Sequence, residues 1–116
     1  MRVVSLLGVL FLAAFLGGNS YAAEGARPAK VIKITSEGSI RPEFPGHQNL
    51  IFLRVNPGPW GSTDCNQDYA VLRKEENHMV SILLAGWAAN KTMNFTVDST
   101  RKLYSDICEL VSFSIE

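Results

Sequence analysis

Cysteine and histidine are scarce in this chain of 116 residues, which contains two of each. Neither His47 nor His78 stands at zinc-ligand spacing from Cys65 or Cys108, so no metal centre is expected. Long basic runs are missing as well. Arg73-Lys74 is followed at once by Glu75-Glu76, Arg101-Lys102 stands alone, and 11 basic side chains are balanced by 11 acidic ones. Phosphate binding rests on clustered Lys and Arg, so nucleic acid is excluded as a partner. The chain has no G-x-S-x-G, no phosphate-binding glycine loop and no H-E-x-x-H, and no cofactor or enzymatic activity is expected. The segment Asp64-Cys65-Asn66-Gln67-Asp68 lacks the central glycine and terminal glutamate of a calcium loop.

What is present begins with a leader. Arg2 supplies a positive start, Val3 to Leu16 is almost unbroken apolar chain, and Gly17-Gly18-Asn19 precedes Ser20-Tyr21-Ala22. Small residues one and three positions before the cut suit signal peptidase, so residues 1–22 are expected to be removed after Ala22. The apolar run is shorter than a bilayer span, so no membrane-crossing segment is expected after processing. The expected location is secreted or periplasmic. In such a compartment Cys65 and Cys108, with 42 residues between them, are expected to form one disulfide.

Residues 23–29, small and polar with Pro28, read as a flexible lead-in, and residues 30–116 as a single domain. β-Like runs are expected at Val31 to Ile34, Leu50 to Val55, Tyr69 to Leu72, Met93 to Val97 and Val111 to Ile115, the last two alternating strictly. One helix is expected from about His78 to Ala89, capped by Asn77 and ended by Asn90-Lys91. The fold class is therefore mainly β with one helix, in the order β-β-β-α-β-β. That is the order of a five-stranded OB-fold barrel.

The helix is more apolar than one buried stripe requires, since Ser81 is the only polar residue from Met79 to Ala89. Met79, Ile82, Leu83 and Gly86 form one stripe expected to face the barrel. Val80, Leu84 and Trp87 form a second, a candidate interface for a homo-oligomer or another protein.

Trp60 lies in a loop rich in proline and glycine, Pro57-Gly58-Pro59-Trp60-Gly61. Its ring either stays exposed, to stack on a sugar or a partner, or closes over the disulfide. Trp60, Ser62 and Asp64 are the candidate ligand contacts. His47 is a loop-borne candidate base, weighed against plain solvation, and His78 reads as structural. Asn90-Lys91-Thr92 and Asn94-Phe95-Thr96 match glycan-acceptor sequons, relevant only in a eukaryotic source.

From Trp60 to Ile115 the chain resembles the small B subunits of bacterial AB-type toxins, in particular the subtilase-cytotoxin and pertussis-like branch. The resemblance is carried by Trp60-Gly61-Ser62-Thr63-Asp64-Cys65, the apolar run Tyr69 to Leu72, the helix His78 to Lys91 leading into an alternating strand, and Cys108 ahead of the last strand. It implies an OB barrel, assembly into rings of five with helices around a central pore, and glycans bound on the barrel surface. The leading expectation is thus an exported, non-enzymatic binding or assembly domain with a glycan or protein ligand. The alternative is a monomeric secreted protein-binding or inhibitor domain that acts through the Pro-Gly-Trp loop. A small hydrolase using His47 comes third.

Overall fold

The computed structural model describes residues 23–115; the expected leader, residues 1–22, lies outside the described residues. Strand β1, Glu24–Ala29, is followed after Lys30 alone by β2, Val31–Ser36. A loop holding a short 3-10 turn, Pro45–His47, leads to β3, Leu50–Val55. A second long loop carries Trp60 and Cys65 to β4, Tyr69–Arg73. Helix α1, Asn77–Ala88, then precedes the hairpin of β5, Met93–Tyr104, and β6, Ile107–Ile115. The described residues are mainly β with one α-helix, and the six strands form one sheet in the order β1-β5-β6-β4-β3-β2. All pairings are antiparallel except β4 with β6, where Val71 lies opposite Glu109.

The lead-in expected over residues 23–29 is instead ordered. Glu24 to Ala29 pair residue by residue with Asp98 to Met93 on the edge of β5. Composition misses this because the order comes from the neighbouring edge: small Gly25 and Ala29 turn inward, and a Cβ on Gly25 would overlap the Trp60 carbonyl. β5 and β6 also run longer than expected. They meet at a two-residue turn where Ser105 takes φ 53°. Cys108 therefore lies inside the last strand, not ahead of it, and is bonded to Cys65 in the loop before β4.

Alternation divides the sheet into two apolar faces. Ile51, Leu53 and Val55 of β3 join Ala70 and Leu72 of β4, Met93, Phe95 and Val97 of β5, and Cys108 and Leu110 of β6 in the main core, with Trp60 and Leu83. Phe52, Val71 and Ile107 point the other way and form a second cluster with Leu50, Tyr69 and Leu103. This explains why β3 is buried on both faces, as its composition suggested.

Helix α1 docks on the main core through Leu83 and Gly86, with Met79 and Val80 packed beside them. Gly86 permits the close approach, since a Cβ there would lie 2.7 Å from Met93 Sδ and 2.9 Å from Ile115 Cδ1. The helix is rotated from the expected setting. Ile82, assigned to the inward stripe, is 54% exposed, while Val80, assigned outward, is half-buried. Glu76, not Asn77, occupies the N-cap position, and it makes no side-chain capping bond. The C-terminus ends as expected: Asn90 adopts φ 54°, its amide donates to Trp87 O, and the Lys91 amide donates to Gly86 O at 2.9 Å. This is the left-handed cap that asparagine tolerates.

Candidate functional site

Trp60 is not a solvent-facing platform. Its side chain is 1% exposed, Nε1 donates to Asn66 O at 2.8 Å, and the Phe95 ring lies edge-on with centroids 6.5 Å apart. The Arg27 guanidinium covers the ring at 4.3 Å while donating to Asn56 O and Gln67 O. The stacking reading fails, because proline and glycine turn the loop back across the core and the ring packs between Phe95 and Arg27. That removes the exposed ring on which an inhibitor-type Pro-Gly-Trp loop depended. Ser62 and Asp64 remain exposed beside it. Asp64 is engaged by Lys102 Nζ at 3.0 Å, so its charge is paired.

The interface stripe is split. Val80 packs against the core, whereas Leu84 and Trp87 are 44% and 41% exposed. Ile82 is exposed on the opposite flank, and with His78, Met79, Val111, Ser112 and Phe113 it lines a groove of about 270 Å³ between α1 and β6. His78 is solvated, 3.9 Å from Glu76.

Sequence reasoning did not find the cleft on the second apolar face. Thr35, Glu37, His47, Phe52, Tyr69, Tyr104 and Ile107 line a space of about 210 Å³ there. β2, β3 and β4 supply Thr35, Phe52 and Tyr69, the loop between β2 and β3 supplies Glu37 and His47, and the β5–β6 hairpin supplies Tyr104 and Ile107. His47 is fixed mainly by rings: Tyr104 edge-on at 4.3 Å, Phe52 at 4.9 Å and Phe44 stacked at 5.3 Å. Its Nδ1 lies 3.8 Å from Glu37 Oε1, and its Nε2 is buried with no hydrogen-bond partner. Glu37 also accepts from Arg41 Nε at 2.7 Å, and the Arg41 guanidinium rests on Phe44 at 4.9 Å. The signal available in the sequence was aromatic: Phe44 stands three residues before His47, and the fold brings Phe52 and Tyr104 against the same imidazole.

Further along this face lies Glu109, 4% exposed, with Arg73 Nε 3.3 Å from one carboxylate oxygen and Arg101 Nη1 3.8 Å from the other. Both arginine side chains are more than half exposed. They balance the carboxylate where the parallel β4–β6 contact brings it over the sheet. Among the described residues no group of three or more His, Cys, Asp or Glu side chains is arranged to hold a metal ion. No described helix is long and apolar enough to cross a membrane.

Three carboxylates are held below their ordinary pKa values. The Arg41 hydrogen bond lowers Glu37, the Lys102 hydrogen bond lowers Asp64, and the Thr100 hydroxyl lowers Asp98. A carboxylate whose folded pKa is depressed contributes stability above its unfolded pKa and loses that contribution as pH falls through the folded value. The ordinary values are 4.5 for Glu and 3.8 for Asp. The urea midpoint is therefore expected to hold steady from about pH 7 to about pH 5 and to fall below about pH 4.5. In Arg41→Ala the part of that fall due to Glu37 should shrink, which urea titrations across the range will measure.

Comparison with protein-family models, with curated proteins and with solved structures finds no match.

Proposed function

We propose that this chain is an exported, non-enzymatic binding domain that assembles with copies of itself, and that its sheet is an OB-type barrel. The strand order supports the barrel. β1 and β2 stand at opposite ends of that order yet are separated in the chain by Lys30 alone. Taken as one bent strand, they join the ends of the sheet and leave five strands in a ring, with the helix between the third and fourth. The single parallel contact, β4 with β6, falls where that topology requires one. Export is supported by the leader-like sequence and by the disulfide. A non-catalytic role is supported by the use of both cysteines in that bond and by a His47 whose buried Nε2 has no hydrogen-bond partner among the described residues.

The assembly reading is carried by one observation. Ile82, Leu84 and Trp87 are exposed on a helix with no charged side chain from Met79 to Asn90. Like-charge repulsion between two such helices is absent, and Ala85 and Ala88 allow close approach. Light scattering on the secreted protein at micromolar concentration should give a multiple of the monomer mass, and Leu84→Glu should return it to the monomer. A monomeric wild type, unchanged by Leu84→Glu, would falsify the assembly.

A further inference from the structure

We infer that the cleft of Glu37, His47, Phe52, Tyr69 and Tyr104 binds a quaternary ammonium group, the trimethylammonium head of a choline-type ligand. Neither the barrel nor the assembly proposed above is needed for it. Among the described residues that line the cleft, Glu37 is the only acid, none is Lys or Arg, and Phe52, Tyr69 and Tyr104 supply rings. Its volume, about 210 Å³, is below the roughly 300–1,000 Å³ of pockets for drug-sized ligands. That suits a compact head group whose tail stays outside.

The wall combines the two things that attract such a cation, aromatic surface and a carboxylate. An aromatic face carries the negative lobe of the ring quadrupole, and quaternary ammonium groups are recognised by walls of such rings. Tyr104, 38% exposed, supplies the accessible ring. It meets His47 at 88° and Phe52 at 87°, with centroids 4.3 and 5.9 Å apart, so the rings form a corner and not one flat stack. Gly46 packs against Tyr104, where a Cβ would come within 3.3 Å of the ring. Glu37 accepts from Arg41 Nε at 2.7 Å, and that bond holds its carboxyl below the ordinary pKa, so it is charged at neutral pH. The Arg41 guanidinium lies over Phe44 and is not part of the lining. A ligand in the cleft therefore meets the carboxylate end of this ion pair.

The same wall disfavours other ligands of this size. An anion would meet Glu37 with no Lys or Arg in the lining to offset it. A ligand rich in hydrogen-bonding groups finds few free partners. One Glu37 oxygen is held by Arg41, the other lies 3.8 Å from His47 Nδ1, and His47 Nε2 is buried. A primary ammonium would bring three donors to these engaged acceptors, and each donor left unmade is costly. A trimethylammonium group has no N–H to satisfy, so it needs only the rings and the charge.

The test is an amide-resonance titration of the secreted protein with choline, and with the uncharged alcohol in which a tert-butyl group replaces the trimethylammonium. Choline is expected to shift the amides of Glu37, His47, Tyr69 and Tyr104 saturably at millimolar concentration, and the alcohol to bind about tenfold more weakly. Tyr104→Ala should weaken choline binding about tenfold, and Tyr104→Phe, which keeps the ring, should weaken it less. Glu37→Gln should weaken choline and leave the alcohol unchanged. Unshifted amides of α1 and β1 would show that each variant remains folded. Cosedimentation with phosphatidylcholine vesicles but not with phosphatidylglycerol vesicles would place the head group on a lipid. Choline binding without cosedimentation would place it on a small solute, and the site stands in both cases. No saturable shift by choline, equal binding of choline and the alcohol, or saturation by glucose or phosphate in place of choline overturns the assignment. Leu84→Glu should bind choline as the wild type does, so a failed assembly and a failed site give different results.

Discussion

Replacing Cys65 and Cys108 together by alanine is expected to lower the stability of the folded chain by about 4 kcal/mol. The two positions are 43 residues apart in sequence and bonded in the fold, so reduction releases a long loop in the unfolded ensemble. Native domains of this size have only about 5–15 kcal/mol in total, and a small core gives little to offset the loss. The bond also has a defined structural task. It joins the Trp60 loop to β6, a strand inside the sheet, and both sulfur-bearing residues are buried. Alanine is the appropriate replacement, since serine would add an unpaired buried hydroxyl. Thermal unfolding followed by circular dichroism should show the melting temperature falling by about 20 °C. A loss of less than about 1 kcal/mol would mean that the bond adds nothing beyond the packing around it.

Trp60→Ala should cost about as much, on the order of 3–5 kcal/mol, the range for truncating a buried aromatic. The ring fills the core between Phe95 and the Arg27 guanidinium. Its removal also strips the Asn66 carbonyl of its Nε1 donor and leaves Arg27 without the surface it covers. Because β1 reaches the core through Gly25 against the Trp60 backbone and Arg27 against its ring, the first strand is expected to loosen along with the loop. Hydrogen exchange should show lost protection across Glu24 to Ala29. Trp60→Phe keeps the apolar ring and forfeits the one hydrogen bond, for about 1 kcal/mol. This pair separates the covering role from ligand contact: any loss of binding in Trp60→Ala must be read against the fraction still folded. Equal stability of wild type and Trp60→Ala in urea would contradict the burial of the ring.

Local pattern carried much of the fold. β3 has the bounds its apolar run suggested, Leu50–Val55, and β4 exceeds its run by Arg73 alone. Met93, Phe95 and Val97 turn inward on β5 as strict alternation requires. Asn90 ends the helix because asparagine tolerates the left-handed backbone there. What failed did so for a non-local reason. The 23–29 segment is a strand only because the edge of β5 is there to pair with it. The continuation of β6 back to Ile107 depends on the hairpin turn at Ser105 and on the contact with β4. Gly86 faces the core as expected, but Val80 rather than Ile82 packs beside it, a choice made by the surface α1 docks on.

The candidate site was the least legible part, and the reason is sequence distance. Glu37 and Tyr104 belong to segments 67 residues apart, and neither is unusual alone; only the sheet order puts the β2–β3 loop beside the β5–β6 hairpin. Trp60 shows the converse: composition marked it as notable, but whether the ring faces solvent or core depends on a loop that folds over Phe95. By itself, then, the sequence determined the features set by local rules and counting. These are a mainly β chain with one helix free of charged side chains from Met79 onward, and two cysteines that pair with each other. The tertiary structure alone decided which aromatics surround His47, which flank of the helix stays bare and that the lead-in is a strand. Those outcomes are set by contacts between residues far apart in the chain, where propensity and periodicity carry no information.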